Sequence, residues 1–202
     1  MGNKFQNFAE ENIQPKSFKF TKENIKKANE FLKIYPDNYK ESSIMPLLTI
    51  AQTQYGGWLP KKAIEYVANF LCVSEMKVLE LATFYSMYNL SPIGKTHIEV
   101  CTTTPCMLRG SDKITKLCKN KLNLDIGEST EDGLFSLIEV ECLGACVNAP
   151  VAKIGDHYYE DLNEENFDKI IENIKNNKKL TKGSQILRKG SEPYKGKTIK
   201  II

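Results

Sequence analysis

The sequence has no run approaching the roughly 18 apolar residues that a membrane-spanning helix requires. Its amino end, Met1-Gly2-Asn3-Lys4-Phe5, has neither the apolar core nor the small-residue cleavage site of a secretory signal. We therefore expect no direct membrane insertion and a reducing cytoplasm. In that compartment, paired cysteines serve as metal ligands or catalytic thiols more often than as disulfides.

Several short motifs are also missing. The chain contains no G-x-G-x-x-G and no P-loop, so we expect no nucleotide site on it. It contains no C-x-x-C, which disfavours the dithiol chemistry of thioredoxins. The two histidines, His97 and His157, do not have ligand spacing, and we expect both to be surface residues.

What is present suits one or two globular domains, because 202 residues with 41% apolar and 26% charged content can bury a sizeable core. The net charge of +3 is uneven, since residues 175–202 contain nine Lys and Arg residues and one Glu. A basic tail on a mildly acidic body lacks the positive folded face of a nucleic-acid binder. We therefore expect no nucleic-acid partner.

The periodicity of the apolar residues changes from helical to strand-like near Pro92 and Gly94. Before that point, four segments have helical spacing and capping residues. After it, the pattern predicts a compact α/β unit in the order β-α-β-β-α. We expect four regions: a flexible arm over 1–20, a helical bundle over 21–91, the α/β domain over 92–179 and a basic extended tail over 180–202.

Two cysteine pairs follow the two main predicted strands: Cys101 and Cys106 after residues 96–100, and Cys142 and Cys146 after residues 135–141. We expect each pair to lie in a loop. Four converging thiolates need a positive partner, because a buried unpaired anion costs several kcal/mol. An iron–sulfur cluster, a zinc ion or, after oxidation, two disulfides would meet this need.

The residues between the paired cysteines favour the cluster over zinc. Thr102, Thr103 and Thr104 offer hydroxyl and amide donors, and Gly144 lets the backbone approach closely. Many weak donors around sulfur ligands tune the potential of a cluster. The other two cysteines, Cys72 and Cys118, fall in apolar settings, and we expect both to be packed in the core.

The stretch from Cys101 to Gly110, with the segment from Cys142 to Pro150 and the motif at residues 158–162, resembles the E-subunit family of NADH-quinone oxidoreductase. The resemblance runs over about residues 44–167. It implies an N-terminal helical bundle followed by a thioredoxin-like α/β domain that carries one [2Fe–2S] cluster and no catalytic residue. The cluster ligands that it implies are Cys101, Cys106, Cys142 and Cys146.

The resemblance also implies a function: electron transfer in NADH:quinone oxidoreductase, respiratory complex I. NADH and FMN would bind to a flavoprotein partner, and the chain would contact other peripheral-arm subunits on the cytoplasmic face of the inner membrane. The equivalent component of an NAD-linked hydrogenase or formate dehydrogenase would share this chemistry. A redox-sensing DNA regulator and a zinc-stabilised interaction module are rivals of other classes. The tail is either disordered or an extended arm that orders along an acidic partner surface. We expect truncation after about Lys179 to weaken docking and to leave the cysteine site intact.

Overall fold

The computed structural model describes residues 4–193, and the chain divides into two compact units, Met1–Ile93 and Gly94–Ile202. The first unit is helical and the second is built on a mixed sheet. This is the predicted α/β fold class with an N-terminal helical bundle. The division into four regions with the bounds given above stays a prediction.

Two boundaries of the α-helices in the first unit lie at residues that the sequence marks. Thr21 caps the first helix, since its hydroxyl accepts a hydrogen bond of 3.2 Å from the amide of Asn24. After the second helix, Gly56 and Gly57 take φ values of +79° and +95°, a region that glycine enters at little cost. The helices are α1 (Lys22–Leu32), α2 (Ile44–Gln54), α3 (Lys61–Leu71) and α4 (Glu75–Phe84).

The amino-terminal segment differs from the flexible arm that we expected. Phe18 and Phe20 are buried in the core of the helical unit, where both rings meet Tyr66 edge to face at 5.6 and 5.0 Å. Phe5 is also buried, and its carbonyl accepts a hydrogen bond from the amide of Leu90. An extended segment has no helical period, so its apolar residues do not stand out in the sequence.

The second unit is organised around the parallel pair β1 (Thr96–Cys101) and β3 (Phe135–Val140), in which Cys101 lies beside Val140. The other strands are β2 (Glu128–Ser129), β4 (Ala152–Ile154), β5 (His157–Glu160) and β6 (Gly183–Ser184). The strands pair in the order β2-β3-β1-β4-β5-β6, and β4 is antiparallel to both of its neighbours. A turn at Gly155-Asp156 joins β4 to β5, as predicted.

Helices complete this unit: α5 (Thr104–Leu108), α6 (Ser111–Leu122) and α7 (Glu164–Lys175). Cys118 of α6 is fully buried among apolar residues of the sheet and helices, which confirms its predicted place in the core. The same prediction is wrong for Cys72 of the helical unit. Cys72 is exposed, because it ends α3 in the left-handed conformation with φ of +55°.

The beginning of the expected tail is part of the sheet unit. β6 pairs in parallel with β5, and Arg188 forms a buried ion pair with Asp161. Residues 194–202, which belong to the same expected tail, lie outside the described residues. Within residues 4–193, none of the helices has the length and apolar character needed to cross a membrane.

Candidate metal centre

The first cysteine pair joins a strand end to a short helix. Cys101 is the last residue of β1, and Cys106 lies in α5 rather than in the predicted loop. Pro105 fits the first turn of α5, where its missing N–H leaves no hydrogen bond unmade. Only 2% of each cysteine is exposed, so both thiols point into the protein.

The second pair occupies a loop that begins just after β3. Cys142 and Cys146 are both exposed, and their sulfur atoms lie 3.4 Å apart. Gly144, with φ of +79°, turns its amide toward Cys142 and donates a hydrogen bond of 3.4 Å to the sulfur. Cys146 begins a short 3-10 turn, Cys146–Asn148.

The parallel pairing of β1 and β3 brings the two pairs together. Parallel strands end at the same edge of a sheet, so Cys101 and the loop after Val140 meet there. The Thr103 hydroxyl lies 3.4 Å from the Cys101 sulfur. Thr103 also contributes to the lowered pKa of Cys142, and the amide of Leu143 contributes to the lowered pKa of Cys101. Each cysteine segment therefore lies close enough to influence a sulfur of the other.

One thiol of each pair is favoured as the thiolate. Burial alone would raise the pKa of Cys101, but hydrogen bonds from Thr103 and from the amide of Leu143 outweigh it and lower the pKa. The pKa of Cys142 is lowered mainly by the amide of Gly144, with further hydrogen bonds from Cys146 and Thr103. These donors stabilise negative charge on sulfur, which is the form that binds metals.

The other thiol of each pair is held as the neutral acid when no cation is present. Burial, together with the neighbouring Cys101, raises the pKa of Cys106 to about 12. The pKa of Cys146 is raised by its hydrogen bond to Cys142, by burial and by the charge of Cys142. Four anions crowd one another here, so complete deprotonation needs a cationic group among the sulfurs.

This donor set fits an iron–sulfur cluster better than a zinc ion. The Thr103 hydroxyl lies 3.4 Å from the Cys101 sulfur, and the amide of Gly144 donates to the Cys142 sulfur. Such weak donors around sulfur ligands are typical of iron–sulfur proteins, where they tune the potential.

The histidines lie away from this chemistry. His157 is exposed, as predicted, but His97 is buried with 8% exposed, so its predicted surface position is wrong. Its Nδ1 atom lies 2.7 Å from the hydroxyl of Ser136 on β3. Burial, helped by the charge of Lys153, lowers the pKa of His97 to about 4. The ring is therefore neutral near pH 7 and serves the packing of the sheet.

Comparison with known proteins agrees with the geometry. Residues 28–175 match the family model of the thioredoxin-like [2Fe–2S] ferredoxins. The E-subunit of the NADH-quinone oxidoreductase of Rickettsia bellii is 56% identical over 165 residues, which cover 82% of this chain and 99% of the relative. The mitochondrial NADH dehydrogenase [ubiquinone] flavoprotein 2 of Dictyostelium discoideum is 47% identical over 94% of this chain and 76% of its own length.

A solved structure shares the fold at lower identity. An NAD+-reducing [NiFe]-hydrogenase chain superimposes with a TM-score of 0.55 at 19% identity, over 64% of this chain and 23% of its own length. Such low identity supports the fold alone. The sequence relatives and the family model carry the assignment: the chain belongs to the thioredoxin-like [2Fe–2S] ferredoxin family and, within it, to the E-subunits of NADH-quinone oxidoreductase.

Proposed function

We propose that this chain is the iron–sulfur electron-transfer component of an NADH:quinone oxidoreductase, respiratory complex I, beside the flavoprotein that oxidises NADH. The observation that carries the proposal is the meeting of two thiol pairs at one sheet edge, where the Thr103 hydroxyl lies 3.4 Å from the Cys101 sulfur and the amide of Gly144 donates to the Cys142 sulfur. The 56% identity to an E-subunit of this enzyme, over nearly the whole length of that relative, supports the same assignment.

The cofactor is one [2Fe–2S] cluster, as in the rest of the family. Its ligands in this proposal are Cys101, Cys106, Cys142 and Cys146. Bound there, the cluster accepts and returns one electron at a time. Electron transfer through a cluster needs no acid, base or nucleophile from the protein, so we assign no catalytic residue.

The protein's own groups set the conditions for that transfer. The amide of Gly144 donates a hydrogen bond to the Cys142 sulfur, and the hydroxyl of Thr103 lies within hydrogen-bond distance of the Cys101 sulfur. Such bonds stabilise the added negative charge of the reduced state and so raise the reduction potential. Burial of Cys101 and Cys106 keeps water from two of the four sulfurs and opposes this effect, because it disfavours added charge.

NADH and FMN are assigned to a partner. The sequence contains no dinucleotide or phosphate motif, and the proposed site consists of thiols and weak donors. We propose that a flavoprotein partner covers the exposed cysteine loop. Other peripheral-arm subunits would hold the chain at the cytoplasmic face of the inner membrane. Exposed apolar side chains follow a cysteine of each pair in the sequence, which suits such a contact: Met107 and Leu108 after Cys106, and Val147 after Cys146.

An anaerobic preparation of the full chain tests the proposal. We expect visible absorbance of an iron–sulfur chromophore, about two irons and two sulfides per chain, and an electron spin resonance signal after reduction. A colourless protein containing zinc and no sulfide would refute it. Affinity capture from the native cell then names the assembly: quinone-reductase subunits support the proposal, whereas hydrogenase or formate dehydrogenase subunits would move the same chemistry to another complex.

A further inference from the structure

Residues 183–192 form a segment, here called the strap, that is hydrogen-bonded to the end of β5. The backbone of Gly183 and Ser184 pairs with Tyr159 and Glu160, and the amide of Gln185 donates to the carbonyl of Glu160 at 3.0 Å. A segment of polar composition with few apolar residues gains little from burial. Its position therefore depends on these hydrogen bonds and on the side chains that follow.

An ion pair fastens the strap. Arg188 Nη2 donates to Asp161 Oδ1 at 2.7 Å, and the two side chains are only 9% and 3% exposed. The Ser184 hydroxyl donates to the other carboxylate oxygen at 2.7 Å and accepts from the amide of Arg188 at 3.1 Å. Loss of one partner of a buried pair leaves an uncompensated charge, which is strongly destabilising.

The strap and Asp161 both hold Asn148, which stands two residues after Cys146 in the same 3-10 turn. The amide of Asp161 donates to the carbonyl of Asn148 at 2.6 Å. The side-chain amide of Asn148 donates to the carbonyl of Gly190 at 2.9 Å and to the carboxylate of Glu160 at 2.5 Å. Asn148 is buried, although Cys146 is exposed.

We propose that the strap fixes the carboxyl-terminal end of the exposed cysteine loop, and that Arg188 is a positioning residue for Cys146. The chain of contacts runs from Arg188 to Asp161, then to Asn148, then through one turn of backbone to the sulfur. This rests on the proposed role of Cys146 as a ligand. It also reverses the expectation that truncation after Lys179 leaves the cysteine site intact.

The test measures how fast the anaerobic, cluster-loaded full chain loses its visible absorbance to an excess of an iron chelator. We expect Arg188→Ala to accelerate the loss about tenfold, since a hydrogen bond between charged groups no longer opposes opening of the loop. Arg188→Lys keeps the positive charge but loses the planar guanidinium group. Its rate of absorbance loss should therefore lie between those of the unaltered chain and Arg188→Ala. The matched control is Lys189→Ala, which removes the same charge from the neighbouring exposed residue and should leave the rate unchanged.

A second measurement separates positioning from general stability. Phe167→Leu, in the core of the same unit, lowers the thermal midpoint at a distance from the loop. At equal thermal midpoints, Arg188→Ala should release the cluster faster than Phe167→Leu and should alter the spin resonance line shape of the reduced protein. Equal release rates with an unchanged line shape would overturn the proposal.

Amide hydrogen exchange of the unaltered chain tests the strap if Arg188→Ala does not fold. Protection of the Ile186 and Arg188 amides equal to that of the Asp161 amide supports a closed strap. Rapid exchange of the Ile186 and Arg188 amides refutes it. Cys146→Ser tests the ligand role separately. If that variant keeps the native chromophore, the ligand assignment fails; if it bleaches while Arg188→Ala behaves as the unaltered chain, the strap proposal alone fails.

Discussion

At the scale of single residues, the six cysteines have three different roles. Cys101, Cys106, Cys142 and Cys146 meet at one edge of the sheet, Cys118 fills the core, and Cys72 ends a helix at the surface. Spacing in the sequence separated the four from the other two. It could not place Cys72 correctly, because the left-handed conformation of a helix end depends on the backbone rather than on the apolar pattern.

Replacing a proposed ligand tests this division. Cys106→Ser and Cys142→Ala should each lose most of the visible absorbance, because an iron then lacks one thiolate. Cys118→Ala is the matched control: it should keep the chromophore and cost about 1 kcal/mol of unfolding free energy. Absorbance spectra with iron and sulfide analysis provide the measurement. Bleaching by Cys118→Ala, with the chromophore intact in Cys106→Ser, would contradict the assignment.

His97 gives the fold a pH dependence. Its pKa in the folded chain, about 4, lies below the ordinary value of 6.5. The unfolded state therefore binds more protons between these values, and stability falls as the pH decreases through that window. Between about pH 7 and pH 5 the loss from this residue is about 2 kcal/mol. Denaturant unfolding at both pH values should show this loss in the native chain and little of it in His97→Gln; equal losses would rule the histidine out.

At the scale of elements, the longer segments could be predicted and the shortest could not. The helices near Thr21 and Glu164, the two main strands and the turn at Gly155 follow from periodicity, caps and glycine. The five residues of α5 and the two-residue strands β2 and β6 are too short to show any period. Their positions follow from tertiary hydrogen bonds that the sequence does not display.

The candidate site was predictable to the same degree. Its four cysteines and the Thr103 donor follow from local sequence, since they stand within or beside the two motifs. The support that Asn148, Asp161 and Arg188 give to the cysteine loop could not be predicted from local sequence. It depends on the pairing of β5 with a strand of only two residues. A motif shows which residues can bind; it does not show which distant segment holds them in place.

Gly94 shows how closely the elements of the sheet unit pack. A Cβ at this position would collide with the carbonyl group of Phe135 and approach the amide of Ser136 to 2.7 Å, and both are backbone groups that cannot turn aside. Gly94→Ala should therefore cost about 3 kcal/mol, the upper end of overpacking effects.

Gly133 supplies the comparison for that substitution. Nothing lies within 4 Å of a Cβ built there, and only its φ of +66° opposes alanine. Gly133→Ala should cost about 1 kcal/mol, from backbone strain alone. Thermal or denaturant unfolding measures both variants. A smaller loss of unfolding free energy for Gly94→Ala than for Gly133→Ala would show that the backbone near β3 moves to accommodate the added Cβ.

At the scale of the whole molecule, the proposed function predicts where a partner binds. Leu108 and Val147 are 77% and 65% exposed and flank the cysteine segments. A charge at either position would have to be buried in an apolar contact, so Val147→Asp should weaken binding to the flavoprotein partner about tenfold or more.

Ile34→Asp is the control for that variant. Ile34 is an equally exposed apolar residue of the helical unit, at 67%, and its replacement should leave binding normal. Titration of each variant against the flavoprotein measures the affinities, with the absorbance of the cluster as a check on the site. Equal affinities would place the contact elsewhere.

The unequal burial of the two cysteine pairs has a consequence for assembly and for damage. Cys142 and Cys146 are exposed, whereas Cys101 and Cys106 are buried. If these four hold the cluster, as proposed, a scaffold protein that delivers iron and sulfide, or an oxidant that destroys them, meets the exposed pair first. Maturation should therefore be one-sided, with the outer thiols engaged first, and the window for it closes once a partner covers that loop. With Cys142 and Cys146 as proposed ligands, we expect the cofactor to be installed before the chain joins its complex.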